Sequence, residues 1–129
     1  MDLSTIVPSA RVIEITHPAT GMPLGLTITL RPETDPAAKA SERKILDTRL
    51  HDRTKMTTEK LEAQRLETVV GRISGWNWAG DLTFHGEKPE ATSDNYRKVL
   101  TELDWILPQI ETELGDRAGF FRAPSVAAG

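Results

Sequence analysis

Two segments near the start of the chain alternate apolar and polar residues, and together they set a burial problem the rest must solve. "RVIEIT" (Arg11–Thr16) puts Ile13 and Ile15 on one side. "LGLTITL" (Leu24–Leu30) puts Leu24, Leu26, Ile28 and Leu30 on one side and Gly25, Thr27 and Thr29 on the other. A period of two marks a half-buried strand. Between them, "HPATGMP" brackets Thr20-Gly21 with two prolines, which is turn chemistry. The pair reads as an antiparallel hairpin with one apolar face. A lone hairpin is not stable in water, so that face must lie on other elements. The remaining segments read as helix or loop. The expected fold is therefore α+β with helix in the majority: an N-terminal β-hairpin packed on three or four helices.

Asp35 is a suitable N-cap with Pro36 at the first helical position, opening a helix that runs to about Arg53. Its apolar stripe is thin (Ala38, Ile45 or Leu46, and Leu50) and its charge density high. Such a helix is either a solvated arm or one that completes its burial against a partner. "TKMTT" interrupts it. From Glu59, the spacing of Ala63, Leu66, Val70 and Ile73 predicts an amphipathic helix stopped near Gly75, followed by a structured loop over 75–91. Thr92 or Ser93 then caps a helix with Asp94 near its positive end. Tyr96, Val99, Leu103, Ile106, Ile110 and Leu114 form the strongest apolar stripe in the chain. Pro108 falls inside it, so a break is expected between Glu102 and Asp104, with Asp104 capping a new helix that holds Pro108 in its first turn. The expected core is Leu26, Ile28, Val70, Ile73, Trp76, Val99, Leu103, Ile106 and Ile110. Residues 1–9 read as a flexible N-terminal arm, 10–121 as a single α+β domain and 122–129 as a disordered tail.

Composition narrows the function more than it names it. Sixteen Lys and Arg stand against nineteen Asp and Glu, a net charge of -3, which gives no basic footprint for nucleic acid. The absence of cysteine removes disulfides, thiolate nucleophiles and Cys-held metals. There is no apolar run of membrane-spanning length and no signal-peptide pattern, so a soluble, intracellular protein is expected.

Catalytic patterns are missing too. His17, His51 and His85 fall in different elements. Asp47 with His51, or His85 with Glu87, would supply two ligands where zinc wants three or four. Neither Ser41, Ser74 nor Ser93 stands in a nucleophile elbow, and no glycine-rich phosphate loop occurs. The expectation is a non-enzymatic protein without cofactor or metal. "GWNW" poses a separate choice: Trp76 and Trp78 are either an exposed aromatic platform for a ligand or parts of a small core. Only 5% of the chain is aromatic. Packing is accordingly favoured at both positions, more strongly at Trp76.

The segments "THPATGMPLGLTITL", "ETDPAAKA", "VVGRISGWNW", "TSDNYRKVLTEL" and "WILPQIETELGDRAGFF" come in an order that resembles the small tail assembly chaperones of long-tailed bacteriophages and prophages, covering roughly Val12–Phe121. The most specific matches are Gly75-Trp76, the Asn95 that opens a helix ending in "VL", and Trp105-Ile106, Gln109-Ile110 and Phe120-Phe121. Trp78 is a departure from that pattern. The resemblance implies no catalysis. It implies binding, in the bacterial host cytoplasm, to the long helical tape-measure protein, which is kept soluble until the tail tube assembles. It also implies a longer frameshifted form that recruits the tail tube protein in many relatives.

The alternative is a minor tail or head–tail component retained in the virion, told apart by its presence in finished particles. A third reading is a small-ligand pocket built from Trp76, Trp78 and His85. A chaperone for a helical client needs an exposed apolar surface. The candidate client- or partner-binding residues are Ile45, Leu46, Leu50, Trp78, Trp105, Phe120 and Phe121. The competing cover for these faces is one another or a second copy in a homo-oligomer.

Overall fold

A computed structural model describes residues 2–51 and 57–121 of the chain. The first alternating segment is strand β1 (Arg11–Thr16) and the second is β2 (Pro23–Leu30). They pair antiparallel, with Ile13 opposite Ile28 and Arg11 opposite Leu30. Gly21, at φ +70°, takes the left-handed backbone that the intervening turn requires and that a side chain would resist. Helices α1 (Pro36–His51) and α2 (Thr58–Val70) follow. After them come strand β3 (Ile73–Trp78), helix α3 (Ser93–Glu102) and helix α4 (Leu107–Gly115). Short 3-10 turns cover Leu3–Thr5 and Arg117–Phe120. The molecule is α+β and helix-rich, with a three-stranded antiparallel sheet in the order β1-β2-β3.

The third strand corrects the sequence reading. The spacing of Val70 and Ile73 extends a helical stripe, yet α2 stops at Val70 and the chain reverses through Gly71-Arg72. β3 then pairs antiparallel with the free edge of β2, setting Trp76 opposite Ile28 and Trp78 opposite Leu26. A short segment that alternates Ile73, Gly75 and Asn77 with Ser74, Trp76 and Trp78 adopts whichever state its neighbour completes, and here the neighbour is an unpaired strand. A register shift between Thr29 and Leu30 keeps Ile73 buried despite the change of parity. Arg31 and Arg72 lock this corner together. The Arg31 N–H donates to the Arg72 carbonyl at 2.6 Å, and Arg72 Nε donates back to the Arg31 carbonyl at 2.7 Å.

Caps account for the helix starts. The Asp35 carboxylate accepts from the Ala37 N–H, the Thr57 hydroxyl from Lys60 and the Thr92 hydroxyl from Asn95. The break before Pro108 is present, α3 ending at Glu102, but Asp104 does not cap the next helix. Ile106 occupies the N-cap position of α4 without a side-chain bond, and Pro108 sits in the first turn, where its missing N–H costs nothing.

One core joins the sheet to the helices. Ile13, Ile15, Leu26, Ile28 and Leu30 from the hairpin meet Val69 and Val70 of α2, Ile73 and Trp78 of β3, Tyr96, Val99 and Leu100 of α3, and Ile106, Leu107 and Ile110 around α4. Two expected core residues, Trp76 and Leu103, are half-buried and pack against this cluster from outside, while Ala63 is exposed. The expected N-terminal arm carries the 3-10 turn at Leu3–Thr5 and bonds through Ser9, whose N–H donates to the Phe120 carbonyl at 2.6 Å. The expected tail, 122–129, and most of "TKMTT" lie outside the described residues.

Candidate functional site

Helix α1 is poor in core contacts because its sequence supplies few apolar residues. Ala38 is its one buried residue, while Ile45 is half-buried and Leu46 and Leu50 are 51% and 70% exposed. Among the described residues α1 packs mainly on α2. The two run antiparallel: Ser41 lies beside Gly71 at one end, and near the other Arg49 donates to Gln64 Oε1 at 2.9 Å. At Gly71 a Cβ would sit 2.0 Å from the Ser41 hydroxyl oxygen, so the absence of a side chain is what lets α1 approach there.

α2, by contrast, is fastened to the rest of the molecule. Arg65 pairs bidentately with Glu111 of α4, and Arg97 of α3 donates to Glu67 at 2.8 Å. The carboxylates raise the pKa of both guanidiniums, mainly through these hydrogen bonds. The result is a helix pair with one member anchored and the other resting on it.

Between the two helices the surface is open. A groove of about 410 Å³ is lined by Glu42, Ile45, Leu46, Arg49, Leu61 and Gln64, among others. Leu61 is 51% exposed. It was not singled out from sequence because it lies off the Leu66–Val70 stripe of its own helix. An apolar residue off the inner face was the signal available. Covering Leu46, Leu50 and Leu61 is worth about 1–2 kcal/mol for each side chain.

The other candidates separate. Trp78 is 8% exposed and belongs to the core, and Phe120 is 4% exposed beneath the Arg72 guanidinium, which lies 5.3 Å from its ring centre. Neither presents a docking surface: Trp78 is drawn inward by its strand register, Phe120 by the C-terminal turn that carries it beneath Arg72. Burial lowers the Arg72 pKa, as expected for a cation taken from water. Trp105 is half-buried against the core. Phe121 is 44% exposed and forms an isolated bridge with Pro8. Of the seven, Ile45 and Leu46 line the groove, and exposed Leu50 follows Leu46 by one turn of α1.

"GWNW" forms an aromatic cluster. The Trp76 and Trp78 rings meet edge to face at 5.4 Å, Trp76 meets Tyr96 at 4.7 Å and Trp78 meets Phe84 at 6.4 Å. Trp76 Nε1 donates to the Pro89 carbonyl at 2.9 Å, while Trp78 Nε1 is buried with no hydrogen-bond partner. The hollow beside this loop is lined by Phe84, His85 and Lys98 among others, and by neither tryptophan.

The His/carboxylate pairs are not brought together as ligands. His51 Nδ1 lies 2.7 Å from the Asp47 backbone carbonyl, and His85 Nε2 lies 2.6 Å from Glu102. Among the described residues no group of three or more His, Cys, Asp or Glu is placed to hold a metal ion, and no helix is long and apolar enough to cross a membrane.

No family model, no curated protein and no solved structure matches the chain.

Proposed function

We propose that the protein is a non-enzymatic tail assembly chaperone of the long-tailed-phage kind, acting in the host cytoplasm to hold the helical tape-measure protein in solution. The observation that supports this reading is the open seam between α1 and α2, with Ile45, Leu46 and Leu61 along it and exposed Leu50 one turn beyond Leu46 on α1. Two parallel ridges with an apolar furrow between them fit an amphipathic helix, whose anchors recur every three to four residues. The hairpin, widened by β3 and packed on the helices, serves as the body that α2 is anchored to. No cofactor enters this function, and a tail tube protein would be recruited only through a longer form.

The test is co-expression with the tape-measure protein of the phage or prophage that carries this gene, called the neighbour below. The neighbour is expected to remain soluble and to co-purify with the wild-type chain. With Leu46→Asp/Leu50→Asp it is expected to precipitate, although circular dichroism shows that variant to be folded. Unchanged solubility of the neighbour with and without this chain, and no co-purification, removes the chaperone reading. Recovery of the protein from finished particles would replace it with a virion component.

A further inference from the structure

We propose that the open face of the α1–α2 pair is covered by the same face of a second copy, in a two-fold arrangement that sets α1 of each copy against α2 of the other. The proposed function seats the client in this same seam, so the second copy covers it in the purified chain and yields it when the client binds. Three observations carry the proposal.

The first is shape. The exposed leucines lie on both helices of an antiparallel pair, Leu46 and Leu50 on α1 and Leu61 on α2. A two-helix layer with an apolar inner surface is completed by another such layer, giving a four-helix bundle.

The second is charge. α1 carries Lys39, Arg43, Lys44 and Arg49 against Glu42 and Asp47, a net of two positive charges. α2 carries Glu59, Glu62 and Glu67 against Lys60 and Arg65, a net of one negative charge. Arg65 is held by Glu111 and Glu67 by Arg97, so these two internal pairs leave the negative balance of α2 unchanged. Placing α1 on α1 would oppose two basic helices, whereas placing α1 on α2 joins opposite signs.

The third is closure. A two-fold axis running along the helices between the layers brings α1 of one copy over α2 of the other and keeps every neighbouring pair antiparallel. The interface is then isologous and ends at two copies. Arg49 stands level with Gln64 in its own chain, at 2.9 Å. Across the axis it therefore stands within a turn of the second copy's Glu62.

The test is the mass of the purified protein in solution, by light scattering and sedimentation. The wild-type chain is expected to be a dimer. Leu46→Asp/Leu50→Asp is expected to be a folded monomer, its fold checked by circular dichroism, since both side chains are exposed in the single copy. Arg49→Glu alone and Glu62→Arg alone are each expected to weaken the dimer by about tenfold, because each substitution is repeated across the axis. An equimolar mixture of those two variants is expected to regain wild-type affinity, since the heterodimer restores opposite charges at both contacts. A monomeric wild-type chain, a dimer that survives Leu46→Asp/Leu50→Asp, or a mixture no tighter than either variant overturns the proposal. A wild-type monomer that still co-purifies with its neighbour would assign the seam to the client alone, so failure of the pair is distinct from failure of the chaperone reading.

Discussion

The side-chain carboxamide of Gln109 engages both backbone groups of Thr16: the Thr16 N–H donates to Oε1 at 2.9 Å, and Nε2 donates to the Thr16 carbonyl at 2.9 Å. The Thr16 hydroxyl adds a third bond to Oε1 at 3.2 Å. Thr16 ends β1, an edge strand of the sheet. Its peptide groups are thereby occupied by α4 and withheld from another chain. Replacing Gln109 by Ala leaves them without these partners in a half-buried setting. A loss of about 1–3 kcal/mol in denaturant-unfolding stability is expected. Gln109→Glu should be worse than a simple loss of one bond, because a carboxylate oxygen then faces the Thr16 carbonyl.

Gly71 tests whether α1 is seated where it is described. Its backbone, at φ -65° and ψ -18°, suits any residue, so Gly→Ala would ordinarily stabilise by about 0.4–1 kcal/mol through the unfolded chain. Against that, the new Cβ would lie 2.6 Å from Ser41 Cβ. The expected outcome is a net loss of about 1–3 kcal/mol, recovered by adding Ser41→Gly. A stabilised Gly71→Ala variant would show that α1 does not pack on this corner.

The two tryptophans should differ in cost, in the reverse of their sequence ranking. Trp78 is nearly fully buried in the core, and Trp78→Ala is expected to cost on the order of 3–5 kcal/mol. Trp76 is half-buried, so its replacement by Ala should cost less, although it also breaks the bond to Pro89. Thermal or chemical unfolding of the two variants side by side gives the order directly.

Tyr96 is the chain's single tyrosine, so phenolate absorbance reports it alone. Its pKa is raised above 10.0, chiefly because burial disfavours the anion, with Arg31 pulling the other way. The unfolded chain therefore ionises first. The stabilisation this provides is intact below the ordinary tyrosine value and is lost as pH rises through it toward the folded value. The phenolate titration of folded protein should lie above that of protein in denaturant. Tyr96→Phe should resist alkaline unfolding better than the wild type.

The seam was half legible in the sequence. Ile45, Leu46 and Leu50 stood out because α1 has too few apolar residues to bury itself, a property of its own composition. Leu61 did not, since it lies off the Leu66–Val70 stripe by which α2 is recognised. Packing is favoured at Trp78 from the scarcity of aromatics, and its burial agrees with that; Phe120 carries no such mark, because an aromatic residue near a chain turn does not show which way its backbone faces. Gln109 could not be assigned to Thr16 at all: the two are 93 residues apart, and nothing local to either predicts the pairing.

What the sequence determined by itself were the features set by local steric and periodic rules: the β1–β2 hairpin with its buried face, the caps at Asp35 and Thr92, and the break that puts Pro108 in a first turn. Only the tertiary structure decided the fate of Ile73–Trp78. Its local pattern extends a helical stripe as readily as it alternates, and the unpaired edge of β2, more than forty residues earlier in the chain, made it a strand. That pairing carried Trp78 inward and ended α2 at Val70. A strand's hydrogen bonds lie in its neighbour, so its identity is settled where the neighbours meet.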